Sequence, residues 1–418
     1  MYVHPGYDII NLIYIFDLKE GNIMSNKKVS VLLIGISGYG HTYLRELFND
    51  QNETSYLVGA VDINPKRSDY YNEIIERGIP IYDSIEQFYS HHRADLAIIS
   101  TPIHLHKQQS IYAMKHGSHV LCEKPMTANP DDISDMIQTR DATGKFLAIG
   151  FNWSFAPSVQ QLKSDVLKGK FGKAKRLKSI VLWPRDEDYY NRSAWAGKTY
   201  SPEGDMIFDS VVNNATAHFL HHLFYVTGDT VETSANPTNL TAELYKVNDI
   251  ETFDTCAVKI TTQANIDILY IASHAVTENR RPHFVMEFEK GTVTYDPEVD
   301  SRGMVATLDD GTTIEYGDPE LERNSKFPVC IEAILKGHDH ILCGVEAATP
   351  HVQSIYAMHQ SVPNVPKFPE HITKRDAEKK LNWIDGLDNL LQDCYEKWSI
   401  PSDLNVEWSQ RGTTISIK

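Results

Sequence analysis

The decapeptide Val31-Leu-Leu-Ile-Gly-Ile-Ser-Gly-Tyr-Gly40 commits this chain to one local shape. Four apolar residues make a buried strand. Gly35, Gly38 and Gly40 then let the backbone curl tightly and aim amide N–H groups at a pyrophosphate. Ser37 occupies the place of the second glycine in a dinucleotide fingerprint, and Tyr39 lies between the last two glycines.

A helical stretch, Thr42 to Phe48, and a second strand, Tyr56 to Val61, follow this turn, which is the context the fingerprint requires. The strand ends in Asp62, 22 residues beyond Gly40, where a carboxylate accepts both ribose hydroxyls of an adenosine. NAD is therefore favoured as cofactor. NADP stays open, because Lys66 and Arg67 lie close enough to receive a 2′-phosphate. Further on, Leu96 to Ser100 reads as a third strand ending in Thr101-Pro102. A helix from about His106 to His116 comes next, with Gly117 as its C-cap, and then the strand His119 to Cys122 runs into Glu123-Lys124-Pro125. Strands alternating with helices predict a parallel, doubly wound sheet over residues 28–150. The polar residues just past its strands gather at the carboxyl edge, where such sheets bind ligands, and this puts Lys124 in the cleft.

Gly35-Ile-Ser-Gly-Tyr-Gly40, Thr101-Pro102 followed by His106, and Gly117-Ser-His-Val-Leu-Cys-Glu-Lys-Pro-Met126 together resemble the Gfo/Idh/MocA oxidoreductases. Glu-Lys-Pro at a strand end is the most specific of these marks. Gly150-Phe-Asn-Trp-Ser-Phe-Ala-Pro157, which contains Asn152, resembles the family's domain crossover, with Ser154 where many members carry arginine. The resemblance implies a dinucleotide site built from Gly35, Ser37, Gly38, Tyr39, Gly40, Asp62, Thr101, Pro102, His106, Glu123 and Lys124. It also implies hydride transfer between nicotinamide and a secondary alcohol of a sugar, a cyclitol or a derivative.

The segment Asp209-Ser-Val-Val-Asn-Asn214-Ala-Thr-Ala-His218-Phe-Leu-His221-His222 reads as a helix. On that helix Asn214, His218 and His221 or His222 share one face, opposite Phe219, Leu220, Leu223 and Phe224. In the family, a helix here carries an Asp and, four residues on, a His that meet the Glu-Lys-Pro lysine. By resemblance these positions are Asn214 and His218, so the aspartate is missing. An amide neither takes up a proton nor balances an imidazolium, but it fixes a histidine tautomer or holds a substrate hydroxyl. His218 is accordingly expected to accept the hydroxyl proton and Lys124 to bind the hydroxyl, with the roles exchangeable. Two other uses of such a fold stay open: glycoside cleavage through transient oxidation, and a binding protein that senses nucleotide or sugar without turnover.

Trp183-Pro-Arg185 through Tyr190, Arg192 and Trp195 combines aromatic faces with fork-shaped donors suited to sugars. Arg185, Tyr190, Arg192, Trp195, Asn152, His222 and His351 are the candidate substrate contacts. His351 follows Glu346-Ala-Ala-Thr-Pro350, which opens a late helix. Strand-like runs at Lys178–Trp183, Thr255–Thr262, Asp267–Ser273 and Phe284–Phe288, with hairpin signals at Lys290-Gly291 and Asp310-Gly311, predict a large antiparallel sheet in an α+β domain over residues 151–418. The resemblance implies an open face on that sheet that pairs subunits into a homodimer or homotetramer. Asp376 to Trp398 reads as a final amphipathic helix.

Composition narrows the classes. A formal charge of −16 argues against nucleic acid, and the basic run Lys163 to Lys178 reads as a solvated helix and strand entry. Five cysteines without paired spacing fit a reducing cytoplasm. The 18 histidines show no convincing ligand spacing, and no metal is expected. The apolar run Ile9 to Phe16 is too short to span a bilayer and lacks a basic leader, so neither membrane nor secretion is expected. Met24-Ser-Asn-Lys-Lys28 immediately precedes the first strand. Residues 1–27 are read as an extension, poorly ordered, with a start at Met24; an arm on a neighbouring subunit is the alternative.

Overall fold

The computed structural model describes residues 27–417, so the expectations for residues 1–26 lie outside the described part. The first domain is a six-stranded sheet in the order β3-β2-β1-β4-β5-β6, every pair parallel. Its strands are β1 (Val29–Ile34), β2 (Ser55–Val61), β3 (Ile81–Tyr82), β4 (Leu96–Ile99), β5 (His119–Cys122) and β6 (Leu147–Ile149). The connecting helices are α1 (Gly40–Leu47), α2 (Tyr71–Glu76), α3 (Ile85–His91), α4 (His106–Lys115) and α5 (Asp132–Thr143). β1 and β4 are buried almost throughout, as strands covered on both faces must be. The order reverses between β1 and β4, so the loops after these two strands flank a crevice at the carboxyl edge.

A single-turn crossover, Asn152–Phe155, leads through α6 (Pro157–Leu167) into the second domain. Nine strands form its sheet, in the order β14-β13-β12-β11-β7-β10-β9-β8-β17. They are β7 (Ala174–Leu182), β8 (Pro237–Tyr245), β9 (Thr255–Thr262), β10 (Asp267–Ser273), β11 (Arg280–Phe288), β12 (Gly291–Tyr295), β13 (Met304–Leu308), β14 (Thr313–Gly317) and, after the hairpin named below, β17 (Ile415–Ser416). Only β7 and β10 run parallel; every other pair is antiparallel. Between β7 and β8 lie the short α7 (Glu187–Tyr190) and α8 (Ala217–Val226); after β14 come α9 (Lys326–Lys336) and α10 (Val345–Ser361).

Strand alternation divides the sheet's side chains between two cores. Leu177, Val181, Ile268, Tyr270 and Val258 face α8 and α10. Ile180, Leu182, Leu269, Ile271 and Ala257 face the other way, and that side is covered too. Its cover is the end of the chain: a hairpin of β15 (Thr373–Asp376) and β16 (Leu381–Ile384), then α11 (Leu387–Glu396), which packs Leu387, Leu391, Cys394 and Tyr395 onto it. The expected open face is therefore closed over β7, β10 and β9.

The same segment corrects the final-helix expectation. Asp376 Oδ1 accepts the N–H groups of Glu378 and Lys379, and Lys380 adopts φ +50°, so the chain turns back as a hairpin. Gly386, at φ +73°, separates that hairpin from the helix. The basic run is corrected as well: Lys163 is fully buried, with its ammonium 3.5 Å from the Tyr225 ring centroid and donating to Thr233 O. Lys178 is likewise buried and donates to Tyr395 O. All five cysteines are buried and free. Among the described residues no helix is long and apolar enough to cross a membrane, and no cluster of three His, Cys, Asp or Glu is arranged to hold a metal.

Candidate active site

The glycine turn is sterically obligatory at two positions. A Cβ on Gly35, which has φ +86°, would lie 2.2 Å from Ser100 O, and one on Gly40 would lie 2.2 Å from Gly35 O. The loops after β1 and β4 thus touch through bare backbone. Gly38 has positive φ but faces open space. Ser37 Oγ is buried without a hydrogen-bond partner. Asp62 Oδ2 accepts Ile36 N–H at 3.0 Å and its Oδ1 accepts Asn64 N–H at 2.7 Å, so the β2 tip and the turn are one unit. Lys66 and Arg67 are exposed beside it. The close-approach glycines, the orphaned serine hydroxyl and the carboxylate at the second strand tip fit a dinucleotide.

Three residues placed in the cofactor set have their polar atoms engaged by the protein itself. His106 sets Nδ1 beside Pro125 O and Nε2 beside Thr101 O, both at 2.8 Å; burial disfavours its charge, so the neutral ring donates to one of the two. It therefore ties the Thr101-Pro102 loop to the Lys124-Pro125 loop, whose peptide bond is cis. Thr101 Oγ1 donates to Gln109. Glu123 is only 6 % exposed; its Oε1 accepts Tyr43 Oη at 2.5 Å and pairs with Lys326 from α9. Lys326, 2 % exposed, also lies 4.5 Å from the Tyr39 ring centroid. Burial opposes its charge, but Glu123 and Tyr39 hold it above the ordinary lysine value. Tyr39 remains 42 % exposed, with its hydroxyl 3.5 Å from Asn152 Oδ1.

Lys124 is half-buried at the end of β5. Its Nζ donates to Asn214 O at 2.6 Å and to Asn214 Oδ1 at 3.3 Å. An ammonium has three donors, so one remains. Loss of water lowers its pKa to about 8, with Lys326 and Arg192 pushing the same way and Glu123 and Asp209 opposing. Asn214 Nδ2 in turn donates to Asp209 Oδ1 at 2.8 Å, which fixes the amide with its oxygen toward the lysine.

Asn214 does not sit on the helix expected for it. Residues 211–216 form turns and α8 starts at Ala217. Thr216 Oγ1 donates to Val211 O, a carbonyl that a helix would need, and Asn213 Nδ2 ties the turn back to Ile207 O. His218, in the first turn of α8, is still near enough to Lys124 to feel its charge. Its pKa is held well below the usual histidine range by desolvation first, then by Lys124, Lys326 and His351. Its Nδ1 is buried without a partner.

The imidazole stripe expected on α8 is instead part of the core. His221 stacks on Phe151 with centroids 3.8 Å apart and faces Ser154 Oγ at 2.9 Å. His222 lies among Trp153 and Phe284 with neither ring nitrogen bonded. His351, fully buried in α10, points Nε2 at Val212 O and stands edge-on to Phe151. Arg192 is engaged: it pairs with Asp209 at 3.1 Å and covers the Tyr189 and Trp195 rings. Arg185 lies over Trp183 and Tyr189, and its Nε, like Tyr190 Oη, is buried without a partner. Sequence reading missed Asp209 and Lys326. Asp209 opens the quoted segment and is the one carboxylate within five residues of Asn214, whereas nothing around Lys326 distinguishes it from a surface lysine.

Residues 29–151 match the family model described as GFO_IDH_MocA, oxidoreductase family, NAD-binding Rossmann fold. Among curated proteins, a scyllo-inositol 2-dehydrogenase (NADP(+)) of Bacillus subtilis is 38 % identical over 74 residues, 18 % of this chain and 23 % of that protein. Glucose-6-phosphate 3-dehydrogenase of B. subtilis is 26 % identical over 146 residues, 35 % of this chain and 39 % of its own length. The chain thus spans well under half of these two relatives. Among solved structures, the WlbA dehydrogenase of Chromobacterium violaceum, in complex with NADH and UDP-GlcNAcA, superimposes with a TM-score of 0.66 at 19 % identity, over 83 % of this chain and 96 % of that one. Myo-inositol 2-dehydrogenase of Lactobacillus plantarum gives 0.63 at 17 % identity, over 81 % and 98 %. Both likenesses extend the fold through the second domain. Residues 29–151 thus match the NAD-binding Rossmann domain of the Gfo/Idh/MocA oxidoreductase family, and the rest of the chain shares the fold of the solved structures.

Proposed function

We propose that this protein oxidises a secondary alcohol of a sugar, a cyclitol or a derivative, or runs the reverse reduction, with NAD as redox partner. The observation that carries the reading is the Lys124 ammonium, held by both oxygens of Asn214 with one donor left, beside His218 at the carboxyl edge of a dinucleotide-binding sheet. When bound there, NAD supplies a hydride acceptor at nicotinamide C4.

Proton handling then falls to Lys124 rather than, as the residues alone suggest, to His218. A general base works best with a pKa near the working pH, and Lys124 at about 8 meets that condition. Unprotonated, its two N–H groups stay on the Asn214 oxygens and its lone pair takes the third direction, toward the substrate hydroxyl. The protonated product state makes the same two bonds, so the site changes charge without rearranging. His218 has no carboxylate to support an imidazolium, and as a neutral ring it orients a neighbouring hydroxyl. Arg185 and Tyr190 keep unspent hydrogen-bonding capacity and are the preferred sugar contacts; Arg192 acts through Asp209.

The test mixes purified protein with NAD or NADP and a panel of cyclitols, hexoses and glycosides. Reduced nicotinamide is followed by absorbance, and released aglycone is assayed in the same tubes. Steady reduction with one substrate, abolished in Lys124→Ala, supports the reading. Aglycone release without net reduction, or nucleotide binding with neither signal, rejects it.

A further inference from the structure

We propose that Asp209 is the positioning residue of the Lys124 site and acts through the side-chain amide of Asn214. This deepens the function proposed above and rests on it only for the name of the reaction.

Asp209 is 4 % exposed and lies in the loop before α8, and both of its oxygens are spoken for. Oδ1 accepts Asn214 Nδ2 at 2.8 Å, while Oδ2 accepts Gly197 N–H at 2.7 Å and Arg192 at 3.1 Å. An isolated amide beside a lysine can flip, because its two ends are nearly the same shape. Here only one orientation is allowed, since Oδ1 against a carboxylate would set acceptor against acceptor. Asp209 thus dictates that Asn214 shows Lys124 two oxygens and no N–H. Nearly the same argument explains why residue 214 is not itself acidic: a carboxylate there would abut that of Asp209 at the distance now spanned by a hydrogen bond. The pair places one negative charge a single amide away from the lysine.

The charged and titratable groups that act on Lys124 are Glu123 on its own loop, Lys326 from α9, Asp209 and Arg192 from the segment before α8, His218 on α8 and His351 on α10. Asp209 favours the charged lysine and Arg192 disfavours it.

Two measurements need neither substrate nor turnover. Competitive acetylation of the intact protein between pH 6 and 10, read by mass spectrometry on the Lys124 peptide, gives that lysine's titration midpoint. Asp209→Asn should lower the midpoint, and Arg192→Gln should raise it, each by about one unit. Should Asp209→Asn not fold, the swapped pair described next decides. In the second measurement, Asn214→Asp should melt below wild type and the swapped pair Asp209→Asn/Asn214→Asp should regain the loss. A midpoint that stays put in every folded variant, or a swap no more stable than Asn214→Asp alone, overturns the proposal. Both readouts survive even if no sugar is ever oxidised, so the two proposals fail separately.

Discussion

Lys326, on α9 of the second domain, forms a buried ion pair with Glu123, the residue immediately before Lys124 in the first. The pair links the domains at the point where the candidate base leaves its strand. Removing one member strands the other: a buried charge without its partner costs about 3–5 kcal/mol.

Lys326→Met should therefore lower unfolding free energy by about that amount, whereas Glu123→Gln/Lys326→Met should recover much of it, because neither remaining group is charged. Denaturant unfolding of the two variants checks this. Equal losses would mean that the ion pair is not what joins the domains.

The turn after β1 makes a contrast between two glycines. Gly35→Ala places Cβ against Ser100 O at 2.2 Å and demands φ +86° of an L-residue, so the first domain should lose NAD binding and much of its stability. Gly38→Ala meets nothing within 4 Å and bears only the cost of positive φ, about 1 kcal/mol. Calorimetric titration with NAD, beside a melting curve, separates the two.

Asp62 sits where it can favour NAD, and it also holds Ile36 N–H. Asp62→Ala should weaken NAD binding by roughly 10- to 100-fold, the loss of charge-assisted hydrogen bonds of about 1.5–3 kcal/mol. NADP, whose 2′-phosphate the carboxylate repels, should lose less. Equal losses for both would leave Asp62 only a turn-holding role.

The pH profile discriminates between the two candidate bases. If Lys124 takes the proton, kcat/KM for alcohol oxidation rises with pH and levels off above about 8, since only the unprotonated amine accepts. His218, depressed by burial, is already neutral well below that limb and contributes no inflection between pH 6.5 and 9. Lys124→Ala should lower kcat by roughly 10²–10⁴-fold. A limb retained in that variant would assign it elsewhere.

The first domain was legible because its signals are local. Gly35, Asp62, Thr101 and Glu123 each follow an apolar run, and β1, β2, β4 and β5 end within a residue or two of them. The strands Thr255–Thr262 and Asp267–Ser273 fall where alternation places them. What stayed hidden is set by distant partners. Periodicity cannot reveal that Asn213 and Thr216 spend their side chains on Ile207 and Val211 and so delay α8 to Ala217. The helical reading of residues 376–386 failed because a side-chain turn at Asp376 and left-handed Lys380 and Gly386 outweighed an amphipathic pattern. Arg192 and His106 look like ligand-binding residues in sequence, but Arg192 pairs with Asp209 and the His106 ring is held between two carbonyl oxygens.

The covered sheet face bears on self-association. Leu391 of α11 is 1 % exposed against Ile180, Leu182, Leu269 and Ile271, so α11 covers this apolar part of the sheet within one chain. Leu391→Ala should cost about 2–4 kcal/mol in a melt or denaturant titration. Removing residues 387–417 should uncover a contiguous apolar surface on β7 and β10, and surfaces of that kind associate. Sedimentation velocity on the full chain and on the shortened one, at matched concentration, tests this: the shortened chain should sediment as larger species. If both sediment alike, the end of the chain is not what keeps that face from pairing, and any subunit contact must use the strands it leaves uncovered.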